Sequence, residues 1–452
     1  MEKKFSCRCW RKNNLHKLKR LMKALFINPP VYDFSVFDLW SKPYGFLFIV
    51  DLFCKNGWEI SFFDFMDRNH KFYDDKDKRE KKYGCGNYYY KVLEKPAIYK
   101  EIPRRYKRFG LPQDIFFEFL ENTGKIDVIL ITCAMTYWYP GVIEVIENCR
   151  NFTDAPVIIG GGYPTFCYEH AKKIGADIIF QGGDIRYFVE IFNAQTKHNL
   201  MYFDNLEPCW SVYEKLSYIV VRTSYGCPFS CYYCGAKKMH PEYRLRDQDE
   251  IVREVSRTVE KYRFDDIAFY DDALLCSFTH LQKVVKKITE IKKFNFHTPN
   301  GIHPRFINKD VAFFLKESNF KTLRLSVETF DRKREKESSH KVFFAEFERA
   351  MKYLVDAGFS KEEIGAYILA GLPAQNFEDV VETIRILKNF PCKIKIAEYS
   401  PIPGTTDFEI SKKLHPELPL DEPLYQNNSI FPLWNFEGKW ERINWLKDFA
   451  SK

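Results

Sequence analysis

No stretch of this sequence is long and apolar enough to cross a bilayer. The longest unbroken apolar run, Phe46 to Val50 with its flanks, falls far short of the roughly 20 residues a spanning helix needs. A secretory h-region is also missing ahead of the first folded segment, which argues against export. There is no low-complexity tract, so the composition is globular. The 13 cysteines are odd in number and follow no regular framework, which excludes a disulfide-stapled fold and fits a reducing, cytoplasmic, anaerobic setting. No G-x-G-x-x-G occurs, so a dinucleotide is not expected. The net charge of +8 over 452 residues is a mild basic excess that permits an anionic partner without arguing for nucleic acid.

What is present is enough chain for two or three domains. Residues 1–23 form a basic leader with a Cys7-Arg-Cys9 pair, read as a frayed end rather than a metal site. Residues 24–200 carry five short apolar runs, at Ala24–Ile27, Glu59–Phe63, Asp127–Thr132, Pro156–Ile159 and Asp177–Phe180. Continuous β-type runs alternating with helical patterns predict an α/β fold, here a Rossmann-like parallel sheet covered on both faces. Val142, Val145, Ile146 and Cys149 mark one of its helices. The loops after these strands, among them Asn28-Pro29-Pro30 and Gly160-Gly161-Gly162-Tyr163, lie where such sheets bind ligands. An insertion over 66–125 is too long for an ordinary loop. Its charge run, Asp74 to Lys82, reads as solvated linker, and its Tyr- and Arg-rich remainder as a substrate-facing cover or a clamp between domains.

Residues 208–405 repeat the alternation six times, with strands predicted at Tyr218–Arg222, Asp266–Tyr270, Asn295–Thr298, Thr322–Val327, Gly365–Ala370 and Lys393–Glu398. Six β/α units make a second parallel α/β body, which the resemblance described below implies to be a partial (β/α)6 barrel of the TIM type, and the active sites of parallel barrels lie at the carboxyl ends of the strands. Polar residues there are the candidates: Asp271 and Asp272 after the second strand, and Ser326 and Glu328, two apart on the fourth and so expected to share the interior face. His297 and His303 flank the third strand end. They could act as acid or base, but a hydrogen-bonded structural role is the commoner outcome. Cys276 follows the aspartate pair and could meet substrate; Cys392 has no ligand spacing. The tail, 406–452, is expected to cover the barrel opening or pack on its side.

Immediately after the first of these strands, YGCPFSCYYCG places Cys227, Cys231 and Cys234 in a C-x3-C-x2-C array. Three thiolates so close suit three irons of a cubane [4Fe–4S] cluster and leave the fourth iron open to a second molecule. The rival is a zinc site with His240 as fourth ligand, for which the x3 gap is unusual.

This array, the aromatic Tyr233 before the third cysteine and the preceding strand resemble the cluster loop of the radical S-adenosylmethionine (radical SAM) superfamily. MTYWYPGV (Met135 to Val142) and GGGYPTFCYEHA (Gly160 to Ala171) resemble the cobalamin-binding-type domain that precedes the barrel in the B12-binding group of that superfamily. The resemblance implies an enzyme with a [4Fe–4S] cluster on Cys227, Cys231 and Cys234. It implies SAM held near Tyr233, Asp271, Asp272, Ser326 and Glu328 and cleaved to a 5′-deoxyadenosyl radical, with a flavodoxin or ferredoxin as electron donor and a small-molecule or other unidentified substrate. AYILAGLPAQ (Ala366 to Gln375) and EYSPIPGT (Glu398 to Thr405) resemble the family's adenine-flanking strand and last-strand loop. Cobalamin is a candidate third cofactor, but the D-x-H-x-x-G element that supplies an imidazole to cobalt is absent. Two rivals stand beside this reading. A tRNA methylthiotransferase-like enzyme would need Cys54, Cys133 and Cys167 as a second cysteine trio, and a non-catalytic cluster- or zinc-binding scaffold would have no use for a polar barrel lining.

Overall fold

The computed structural model describes residues 21–73, 80–331 and 343–452. Cys7, Cys9, most of the basic leader and most of the Asp74–Lys82 charge run lie outside them. The first sheet contains β1 (Lys23–Asn28), β2 (Glu59–Asp64), β3 (Val128–Thr132), β4 (Val157–Gly160) and β5 (Ile178–Ile179), all parallel, in the spatial order β5-β4-β3-β1-β2. The order reverses between β1 and β3, the arrangement that opens a ligand crevice at the carboxyl edge of a doubly wound sheet. Its central strands β1, β3 and β4 are apolar along their middles because both faces are covered, while β2 at the edge carries Glu59, Ser61 and Asp64. Ala24, Phe26, Val128 and Leu130 face one core with helix Tyr44–Lys55, while Leu25, Ile27, Ile129 and Ile131 face the other with helices Gln113–Thr123 and Tyr139–Arg150.

The second sheet contains β6 (Ile219–Val221), β7 (Asp266–Phe269), β8 (Asn295–His297), β9 (Phe320–Glu328), β10 (Ile364–Ala370) and β11 (Lys393–Glu398). All are parallel and neighbours in chain order, as a partial barrel of six units requires. On β9, Leu323, Leu325 and Val327 are at most 1% exposed and face the helices, so Thr322, Arg324 and Ser326 face the interior. Alternation then fails at the top of the strand. A bulge falls between Ser326 and Glu328, and Glu328 has a left-handed backbone, φ 68°, a costly conformation for a residue with a Cβ.

The insertion pairs with the loops after β1. Phe37–Asp38 pairs with Gly86–Asn87, and Val31–Asp33 with Lys107–Phe109, which in turn pairs with Tyr90–Val92. These ribbons carry two aromatic residues into the barrel. Trp40, 1% exposed, stacks on the ring of His297 at 4.3 Å and 18°, and its indole N–H donates to the Tyr83 carbonyl at 3.0 Å. Tyr83 packs on the same imidazole at 4.8 Å. Beside them Arg68 pairs with Asp38 at 2.7 Å, which also accepts from the Tyr218 hydroxyl at 2.5 Å. A second bridge is fully buried: Glu254 accepts from Tyr44 at 3.0 Å and pairs with Arg246 at 3.0 Å. The tail packs on the barrel's side, with helix Lys439–Ser451 pairing Lys447 to Glu398 at 2.7 Å.

Candidate active site

The cysteine array sits on a loop closed at its base by a short antiparallel pair, Ser224 with Leu245 and Tyr225 with Arg244. Above that pair, the Phe229 ring lies on His303 at 4.6 Å, and the Tyr232 carbonyl accepts from Asp407 N at 3.0 Å. The loop is thereby tied to both the third unit and the tail. Cys227 and Cys231 are half-buried and Cys234 is exposed, whereas Cys85, Cys133, Cys149, Cys167 and Cys392 are buried. The backbone N–H of Ala236 points at Cys234 Sγ, 3.5 Å away, a contact that favours thiolate. Among the described residues no three His, Cys, Asp or Glu side chains gather tightly enough for a single ion. A cubane does not ask for that, since each thiolate binds a different iron, and three accessible sulfurs on one anchored loop fit it. His240, the fourth ligand of the zinc reading, is engaged elsewhere. Its Nε2 lies 3.1 Å from Arg222 Nη1, and burial together with Arg222 and Arg244 pulls its pKa down to about 4, so it is a neutral acceptor.

The five residues expected around SAM fall into four groups. Tyr233 and Glu328 meet: the phenol hydrogen-bonds the carboxylate, and burial together with that charge pushes the phenol far above its ordinary range. The bulge and left-handed turn at Glu328 carry its side chain to the cluster loop. Asp272 is half-buried with no hydrogen bond to a described residue, and burial raises its pKa against the opposing pull of Arg222. Ser326, 5% exposed, sits under Gly301. Asp271 departs from the expectation. It is 1% exposed, and it accepts from Thr223 N at 3.0 Å, Thr223 Oγ1 at 2.7 Å and Ser224 Oγ at 2.7 Å. These donors fasten it to the root of the cluster loop, chiefly through Oδ1, which gives it a part in positioning that loop.

Of the two histidines raised as acid or base, His297 has both ring nitrogens engaged. His297 is fully buried, with Nε2 2.9 Å from Asp266 and Nδ1 2.9 Å from Thr322, and His303 supports Phe229. Cys276 lies beside Cys227 and Arg305, and burial pushes its thiol up to about 12. In AYILAGLPAQ, Gln375 ties its own loop, accepting from Gly371 N at 2.8 Å and donating to the Leu369 carbonyl at 3.0 Å.

Reading single residues missed how the two domains meet. The glycine loops after β4 and β5 lie against the cluster loop: a Cβ on Gly183 would collide with the His240 ring, and one on Gly235 with the Phe166 ring. Lys238 lies over the same Phe166 ring at 5.6 Å. The carboxyl edge of the first sheet therefore faces the mouth of the barrel. The tail crosses this junction, where Asn427 donates to Asp33 at 3.0 Å, Tyr137 to Asn428 at 3.1 Å and Tyr139 to Glu422 at 3.2 Å. For a corrinoid the topology fits, but the loop histidine, His170, is turned into the Tyr163 hydroxyl at 2.6 Å and offers cobalt no imidazole. The second cysteine trio does not assemble. Cys133 and Cys167 share one face of the first sheet, while Cys54 packs on the opposite face.

Residues 221–387 match the Radical SAM superfamily. The anaerobic magnesium-protoporphyrin IX monomethyl ester cyclase of Rubrivivax gelatinosus is 23% identical over 220 residues, 46% of this chain and 39% of that protein. The tRNA-2-methylthio-N(6)-dimethylallyladenosine synthase of a Sulfurihydrogenibium species is 24% identical over 346 residues, 69% of this chain and 76% of that protein. In fold, the chain is similar to the radical SAM methyltransferase TsrM from Kitasatospora setae, with a TM-score of 0.63 at 13% identity, covering 87% of this chain and 76% of that one. It is also similar to the cobalamin-dependent SAM radical enzyme OxsB, with a TM-score of 0.54 at 10% identity, covering 91% and 58%. The cysteine loop, the six-stranded open barrel and the matched segment agree: residues 221–387 form a radical SAM domain, set in a two-domain fold similar to those of TsrM and OxsB.

Proposed function

We propose that the protein is an enzyme that reductively cleaves S-adenosylmethionine to functionalise an unactivated C–H bond of its substrate, by methylation, cyclisation or rearrangement. The observation that carries this reading is the anchored loop of Cys227, Cys231 and Cys234 over a barrel mouth where Tyr233 and Glu328 meet. A [4Fe–4S] cluster, when bound, supplies the electron that breaks the sulfonium. Around it, Cys227, Cys231 and Cys234 hold the irons, Glu328 and Asp272 receive the cationic amino group or the ribose hydroxyls of SAM, and Tyr233 flanks the adenine. Ser326 stands deeper, towards the substrate. Lys237 and Lys238, exposed beside Cys234, form a basic rim suited to an acidic reductant such as flavodoxin or ferredoxin. Among the described residues, no helix is long and apolar enough to cross a membrane and the cysteines are free thiols; both support a cytoplasmic, reducing setting.

The first domain presents its carboxyl edge to the barrel mouth, which supports a corrinoid held there without a protein imidazole on cobalt. The test is anaerobic reconstitution with iron, sulfide and hydroxocobalamin, followed by iron counting, visible spectra and measurement of 5′-deoxyadenosine after dithionite reduction. We expect four irons per chain and SAM cleavage, both lost in Cys231→Ala. Retained corrinoid selects methyl transfer, and its absence selects cobalt-free hydrogen abstraction. Bound zinc with no SAM turnover refutes the reading.

A further inference from the structure

We propose that Arg324, Tyr367 and Lys395 form an oxyanion subsite in the barrel wall, and hence that the substrate carries a carboxylate or phosphate group. This deepens the radical SAM reading and rests on it. The strand register places the three together: Ser326 pairs with Tyr367 and Tyr367 with Lys395, while one row below Arg324 pairs with Gly365 and Gly365 with Lys393. Side chains two apart along β9, β10 and β11 share the interior face, so Tyr367 and Lys395 lie in the same row as Ser326 and Arg324 one row below it.

Gly365 makes the arrangement possible. A Cβ there would stand 3.0 Å from Arg324 Cδ and Nη1, so the guanidinium lies flat across the bare backbone of β10 towards β11. The Tyr367 hydroxyl lies close enough to Arg324 for the guanidinium to act on it electrostatically.

Charge is what marks the place as a site. Arg324 and Lys395 make no ion pair among the described residues; the partial desolvation of the Lys395 stem, then the neighbouring cations Arg324 and Lys393, pull its pKa below the ordinary lysine range although its end reaches solvent. The carboxylates of these strands and at their feet are engaged elsewhere: Glu398 pairs with Lys447 at 2.7 Å, Glu362 with Lys393 and Glu363 with Lys316 at 2.9 Å, and Glu328 is turned to Tyr233. Cations held side by side without a counter-ion repel one another, and a bound oxyanion removes that cost. The planar guanidinium fork and the ammonium suit the same group from two sides.

The test uses the full-length protein, with or without its cluster. Lysines are acetylated in competition with citrate, inorganic phosphate or chloride at constant ionic strength, and labelling is read by mass spectrometry. Lys395 should be protected at least roughly threefold by citrate or phosphate and not by chloride, while Lys412, held at 2.7 Å by Asp421, stays unchanged. Stronger protection by citrate assigns a carboxylate, and stronger protection by phosphate assigns a phosphate. In Arg324→Gln the half-protecting concentration should rise roughly tenfold, as expected for loss of one charge-assisted contact. Lys395→Gln changes an exposed side chain that leaves the fold intact, and should lose the rise in Tm that the oxyanion gives the parent protein. Equal labelling of Lys395 in all three salts, or an unchanged Tm response in Lys395→Gln, overturns the proposal. Acetylation needs no SAM turnover, so its outcome is independent of 5′-deoxyadenosine formation by the parent protein, which reads the enzyme class.

Discussion

Asp271 is where two roles can be told apart. The sequence places it in a pair that looks like a SAM contact, whereas in the structure it is buried beneath the cluster loop and accepts from Thr223 and Ser224. Substituting Asp271→Ala removes an acceptor shared by one backbone and two hydroxyl donors. Thr223 and Ser224 are each 2% exposed, so water does not replace what is lost. Hydrogen bonds to a charged group contribute about 1.5–3 kcal/mol each, and stranded buried donors cost about 1–3 kcal/mol. The terms are not additive, and a buried charged partner removed from its network costs about 3–5 kcal/mol in all. At about 2 °C per kcal/mol for a large chain, Tm should fall by about 5–10 °C. Cluster loading should fall with it, because the loop loses its root. Guanidinium unfolding of the apoprotein, iron counting and equilibrium dialysis of SAM read the three quantities separately. Asp272→Asn is the companion: it removes a carboxylate that braces nothing, so SAM affinity should drop roughly tenfold with Tm unchanged. If Asp271→Ala kept the parent Tm and iron content but lost SAM binding, the positioning argument would be refuted and Asp271 would be a ligand contact after all.

Three further outcomes are expected. His240 has a folded pKa of about 4 against an ordinary 6.5, so the unfolded chain takes up the proton first. Its contribution is therefore complete above pH 6.5 and is lost as pH falls towards 4, and urea titrations of His240→Gln between those values should show a shallower acid slope than the parent. Trp40→Ala should cost about 3–5 kcal/mol in guanidinium unfolding, since the indole fills the barrel floor and stacks on His297; a loss below about 1 kcal/mol would contradict that role. With its thiol pushed up to about 12, Cys276 should alkylate with iodoacetamide at pH 8 at least tenfold more slowly than Cys227, Cys231 or Cys234 in the apoprotein, by peptide mass spectrometry.

Much of the fold was legible because it is written in local pattern. A parallel strand covered on both sides reads as a short apolar run, and all eleven runs of the two sheets became strands. The cysteine array was legible because its ligands are close in sequence. What was hidden depends on distant pairing. Nothing near Trp40 says that its partner is His297, and nothing in LSVET announces the bulge that sends Glu328 to Tyr233. Asp271 and Asp272 look alike in sequence and differ only because Thr223 and Ser224 lie under one of them. The subsite cations were missed for a related reason: Arg324 and Lys395 sit in strands where alternation was used to find the core, and they come together only through the register of β9, β10 and β11. The insertion's place likewise rests on pairings with residues 31–38.

The placement of Trp40 and Tyr83 also bears on how the chain reaches its folded state. Both belong to the first half of the sequence, yet they complete the interior of a barrel whose first strand begins at Ile219. During synthesis the N-terminal portion emerges and collapses first, so the barrel closes around a former made earlier, much as a hoop is shaped on a mandrel. A fragment holding only residues 208–405 would lack that former and leave His297 beside a void. The two domains should therefore resist being expressed apart or exchanged between relatives unless residues 37–42 and 82–86 travel with the barrel.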